Sequence, residues 1–176
     1  MSLTIRIALR AAIARLDAAG VDAPASTARQ LLSVATSRPR EWLLAHDDET
    51  LPEAQARALE TLLARVAARE PLAYVLGERG FHGLTLKIDP RALIPRPETE
   101  MLVDLALAAV RTLPAGAAVI DVGTGSGAAA IAIALGAPTA RVIACDVSAD
   151  ALSLARENAE RLGARVSFVE SDLLSN

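Results

Sequence analysis

Aromatic side chains are nearly absent from this 176-residue chain: Trp42, Tyr74, Phe81 and Phe168 are the full set. With 52% hydrophobic residues, the cores must therefore be aliphatic, built from Leu, Val, Ile and Ala. Cysteine occurs once, at Cys145, which excludes an internal disulfide and fits a reducing compartment. Lysine also occurs once, at Lys87, so positive charge is almost all arginine, a bias of genome composition. A net charge of -3 argues against a dominant nucleic-acid surface. No apolar run approaches the ~18 residues that would span a membrane. Arg6, Arg10 and Arg15 alternate with apolar residues rather than preceding an apolar block, so no signal peptide is read. The expected setting is cytoplasmic, with no membrane and no direct nucleic-acid partner.

The most informative stretch is Asp121-Val-Gly-Thr-Gly-Ser-Gly127. A β-branched run, 117–122, leads into it and reads as a buried strand, and Ala128 to Leu135 leads out as a helix. Alternate glycines let the backbone turn sharply and approach a ligand closely. The helix N-terminus behind them offers free N–H groups and a positive dipole end. A second strand, Arg141 to Cys145, ends at Asp146, Ser148 caps the next helix, and Val166 to Val169 forms a third strand followed by Ser171-Asp172. This rhythm predicts an α/β fold with a doubly wound parallel sheet. Three strands are few for such a domain, so the chain is expected to be truncated after the third.

Upstream, residues 4–76 read as a helical bundle. Thr4 is a candidate N-cap, and Ile5, Leu9, Ala12, Ile13 and Leu16 share a face; Pro24, Pro39 and Pro52 open later helices. Residues 78–89 alternate as a hairpin turning at His82-Gly83. His46 beside three carboxylates reads as an exposed helix end, and no metal site is predicted. Pro97, Glu98 and Glu100 suit a helix start and need no function; a functional account would need Arg96 or a Glu to reach the cofactor site, which spacing alone does not show.

Two cofactors fit the glycine loop. Gly123, Gly125 and Ala128 satisfy the dinucleotide pattern, with Asp146 for a ribose, which keeps a nicotinamide-dependent oxidoreductase open. Three features favour S-adenosylmethionine. Asp121 can attract an ammonium and would repel a pyrophosphate, Gly127 makes the spacing GxGxG, and Asp172 can accept from an adenine amino group. A helical binding module without activity is the other alternative.

These motifs resemble class I methyltransferases. Pro71-Leu-Ala-Tyr-Val-Leu-Gly77 and Leu93-Ile-Pro-Arg-Pro-Glu-Thr-Glu100 resemble, more narrowly, the peptide chain release factor glutamine methyltransferases, the PrmC/HemK family. The resemblance covers essentially the whole chain. It implies a helical substrate-recognition domain over 1–76, a hairpin linker over 77–96 and the first half of a Rossmann-like methyltransferase domain over 97–176. It further implies methylation of the glutamine side-chain amide in the Gly-Gly-Gln loop of class I release factors. Gly123, Thr124, Gly125, Ser126 and Gly127 would wrap the methionine moiety, Asp146 would hold the ribose, and Asp172 and Leu173 would border the adenine. The family's catalytic Asn-Pro-Pro-Tyr is absent; Asn176 is not followed by Pro-Pro-Tyr, so no catalytic residue is assigned and the chain alone is expected to be inactive.

Overall fold

A computed structural model describes residues 3–175, and the chain divides into two compact units between Leu76 and Gly77. Asn176 lies outside the described residues.

The first unit is helical: α1 (Ile5–Ala18), α2 (Pro24–Thr36), α3 (Arg40–Ala45), α4 (Glu53–Ala67) and α5 (Leu72–Leu76). Thr4 caps α1 by accepting from the Ile7 N–H. Apolar residues at helical spacing then bury Ile5, Ala12 and Leu16 against Leu31 and Leu32 of α2 and Leu59 and Leu63 of α4. Each fully buried leucine contributes roughly 1.5–3 kcal/mol, so packing rather than capping holds this unit. His46 stacks on Trp42, ring centroids 4.3 Å apart, and its Nδ1 lies 2.8 Å from the Trp42 carbonyl. Among the described residues no His, Cys, Asp and Glu cluster suits a metal.

The second unit opens with a hairpin, β1 (Glu78–Phe81) and β2 (Leu84–Lys87). His82 and Gly83 both take positive φ, +48° and +74°, the geometry that matches the twist of a tight two-residue turn. Helix α6 (Glu98–Val110) follows. Then β3 (Ala118–Val122), α7 (Ala128–Gly136), β4 (Arg141–Asp146), α8 (Ala149–Leu162) and β5 (Val166–Glu170) alternate. The strands are parallel in the order β3-β4-β5.

β3 departs from the expectation of a buried strand. It is an edge, with Ile120 50% and Val122 43% exposed. The cause is topological. Two right-handed crossovers stepping the same way set both α7 and α8 on one face, where they pack on each other and on β4. A doubly wound arrangement covers both faces only where the strand order reverses. The central β4 buries Val142, Ala144 and Cys145.

Candidate cofactor site

The end of β3 is clamped to the end of β4. The N–H groups of Gly123 and Thr124 both donate to the Cys145 carbonyl, at 2.8 and 3.0 Å. Gly123, Gly125 and Gly127 all have positive φ, +75°, +55° and +82°. Only glycine takes this run of conformations without strain, and the turn delivers the chain into α7.

Asp146, at the tip of β4, braces the turn. Its Oδ2 accepts from the Gly125 N–H at 2.9 Å and its Oδ1 from the Ser148 N–H at 3.0 Å. Asp121 on β3 accepts from the Thr124 hydroxyl at 2.7 Å through one oxygen, leaving acceptor capacity over. Beneath the loop, fully buried Asn158 of α8 donates to the Ser126 carbonyl and the Lys87 carbonyl, both at 3.0 Å, and accepts from the Lys87 N–H at 2.7 Å. Hairpin, loop and helix therefore share one buried amide.

Above the loop lies a cavity of about 460 Å³, lined by Asp121, Gly123, Thr124, Gly125, Ser126 and Asp146. That size falls in the range of small-molecule sites, roughly 300–1,000 Å³. The structure thus brings together five of the eight residues picked from sequence. Gly127 is buried below the cavity, where an added Cβ would lie 3.0 Å from both the Ala155 Cβ and the Ile131 Cδ1. Its glycine is required by the approach of α7 to α8. Asp172 and Leu173 follow β5 at the same end of the sheet and do not line this cavity.

The opposite wall was not legible as a site. Ala92, Leu93, Ile94, Pro95, Arg96 and Thr99 line the same cavity, while Glu98 and Glu100 do not. The signals were the Leu93 to Glu100 stretch that carries the family resemblance and, within it, Pro95-Arg96-Pro97, where two prolines stiffen the backbone that carries a cation. This wall is fixed to α8 by Arg91, which donates to Asp89 at 2.7 Å and to Glu157 at 2.7 Å. The hydrogen bonds to Asp89 and then Glu157 push the Arg91 guanidinium above its ordinary value. Those from Arg91 and Lys87 hold Glu157 down at about 2.

Residues 8–77 match the PrmC N-terminal domain and residues 113–175 match a methyltransferase domain. The chain is 47% identical over 162 residues to a release factor glutamine methyltransferase of Vibrio cholerae, covering 92% of this chain and 56% of that protein. It is 48% identical over 149 residues to the one from Bordetella pertussis, covering 85% and 55%. With the one from Deinococcus radiodurans the identity is 45% over 174 residues, covering 98% and 62%. The chain therefore spans somewhat more than half the length of these relatives. The chain thus carries a match to the PrmC N-terminal domain followed by a match to a methyltransferase domain, and along nearly its whole length it is similar to release factor glutamine methyltransferases.

Proposed function

We propose that this chain carries the donor half of an enzyme that methylates the glutamine side-chain amide in the Gly-Gly-Gln loop of class I release factors, with S-adenosylmethionine as methyl donor. In this reading residues 1–76 recognise the protein substrate, 77–96 link, and 97–176 hold the donor. The observation that carries it is the joint lining of one cavity by Asp121, the 123–126 turn and Asp146 at the C-terminal ends of β3 and β4.

The donor set fits the group. Asp121 would accept from the ammonium of the methionine moiety, and a pyrophosphate there would meet a carboxylate. Asp146, already fixed by two backbone N–H groups, would accept from ribose hydroxyls with its remaining lone pairs. Arg96 and Thr99 offer a cation and a hydroxyl for a carboxylate on the facing wall. Asp172 and Leu173 would border the adenine, an aliphatic side chain covering its face. When bound, the donor supplies an electrophilic methyl group on a sulfonium. The residues of this chain orient that group, and their part in rate is positioning. The family names of the relatives favour this reading over a nicotinamide enzyme.

Calorimetric titration with S-adenosylmethionine and with NADH, and methyl incorporation into a release factor by the full-length protein, test the proposal. Tight binding of NADH alone would overturn the donor assignment. Release-factor binding with no methyl transfer would leave a binding module in place of an enzyme.

A further inference from the structure

The helical unit carries a second cavity, about 360 Å³, that the cofactor site does not use. Its floor is aliphatic: Leu9 and Ile13 of α1, Leu32 of α2, and Leu43 and Leu44 of α3. Arg6, Arg10, Arg29 and Arg40 surround it, with Asp47 as the one acid. Residues 1–70 contain nine arginines and nine carboxylates, so this four-to-one gathering is local and not a consequence of composition.

Asp47 is already committed. Arg6 donates to both its oxygens, at 2.8 and 2.6 Å, and that hydrogen-bonded pairing holds the Asp47 carboxyl below its ordinary range. Arg29 and Arg40 have no acidic partner among the described residues. Both also border an adjoining cavity of about 120 Å³, with Ser26, Gln30 and Ser33. Two unpaired guanidiniums lining one slot repel each other mildly, and an anion between them would relieve that. Leu44 is 58% exposed at the edge of the apolar groove. A slot for a carboxylate thus adjoins a groove for an aliphatic side chain.

We infer that this groove docks an acidic, leucine- or isoleucine-bearing segment of the protein substrate, with its carboxylates between Arg29 and Arg40. The inference rests on the functional reading above and specifies which surface of residues 1–76 does the recognising. An RNA partner is disfavoured by the lining, which is aliphatic and holds no aromatic ring on which a base could stack.

The test uses the full-length protein, a class I release factor as ligand and bulk transfer RNA as the competing class. Arg29→Glu with Arg40→Glu should raise the release-factor Kd by about tenfold or more and flatten its salt dependence, because reversed charges oppose the same partner. S-adenosylmethionine affinity should not change. If the double reversal lowers the melting temperature, Arg40→Ala with Leu44→Gln, both exposed, carries the same expectation. An unchanged release-factor Kd overturns the docking site, and so does a loss confined to transfer RNA binding. A wild-type protein that binds S-adenosylmethionine but neither binds nor methylates the release factor would instead sink the functional reading, and the chosen occupant with it.

Discussion

Asn158→Ala should loosen the glycine loop without touching it. Asn158 is fully buried and makes three hydrogen bonds, to the Lys87 N–H, the Lys87 carbonyl and the Ser126 carbonyl. The bond to Ser126 is buried, so its loss costs about 1–3 kcal/mol. The two at Lys87 are partly accessible to water, and each is worth about 0.5–1.5 kcal/mol. Together these come to about 2–6 kcal/mol before any cavity is counted, a large part of a typical stability of about 5–15 kcal/mol. Asn158→Leu keeps the volume and removes the bonds, so it should be nearly as damaging. Recovery by leucine would mean that packing, not hydrogen bonding, matters here. The assay is urea unfolding followed by circular dichroism, with amide exchange at Lys87 as the local reading, since that N–H donates directly to Asn158. Tryptophan fluorescence will not serve, because Trp42 lies in the first unit. An Asn158→Ala protein within about 1 kcal/mol of wild type, with Lys87 still protected, would refute the reasoning.

Asn158→Asp adds a pH signature. A carboxylate there would face two carbonyl oxygens, so the folded state would favour its protonated form and raise its pKa above the unfolded value of about 3.9. A raised folded pKa means stability that is present below the unfolded pKa and lost as pH rises through the folded one. The deficit of this variant relative to wild type should therefore be smallest near pH 4 and grow toward neutrality.

Asp146→Ala removes both the loop brace and the proposed ribose acceptor, and calorimetry should show S-adenosylmethionine binding weakened by roughly one to two orders of magnitude. Gly127→Ala should lower the melting temperature clearly more than Gly123→Ala. Both positions have positive φ, but only the first would press a Cβ to 3.0 Å from Ala155 and Ile131. Glu157 is held from its ordinary 4.5 down to about 2 by Arg91 and Lys87, a depressed pKa whose stabilisation is present above the ordinary value and lost as pH falls toward 2. Glu157→Gln should accordingly flatten the acid limb of the unfolding curve.

Local signals were read well because the responsible contacts are local. Thr4 and Ser148 cap their helices through N–H groups three residues on, and the Val119 and Val142 strands follow from β-branched runs beside turn formers. The exposure of β3 was not readable, since it depends on which face the crossovers leave open. Nor was the wall formed by Ala92 to Arg96, which meets the turn at Gly125 across about thirty residues of chain. Its seat depends on Arg91 reaching Glu157, a pairing 66 residues apart that no periodicity announces.

The glycine pattern itself proves to be three separate requirements. Gly123 makes the hairpin-tight exit from β3, with its N–H on the Cys145 carbonyl. Gly125 presents its N–H to Asp146 at the floor of the cavity. Gly127 lets α7 approach α8 and does not line this cavity. The third glycine of GxGxG therefore says how closely two helices pack and nothing about which cofactor lies above them. A dinucleotide site places its third glycine for the same kind of packing. Discrimination between the two cofactors falls instead on charge. Two carboxylates, Asp121 and Asp146, face one cavity with two arginines, Arg91 and Arg96, and Arg91 is already committed to Asp89 and Glu157. That arrangement favours a ligand bearing an ammonium and a diol over one bearing two phosphates. Among the features that pointed to S-adenosylmethionine, Asp121 carries the weight that the spacing of the glycines does not.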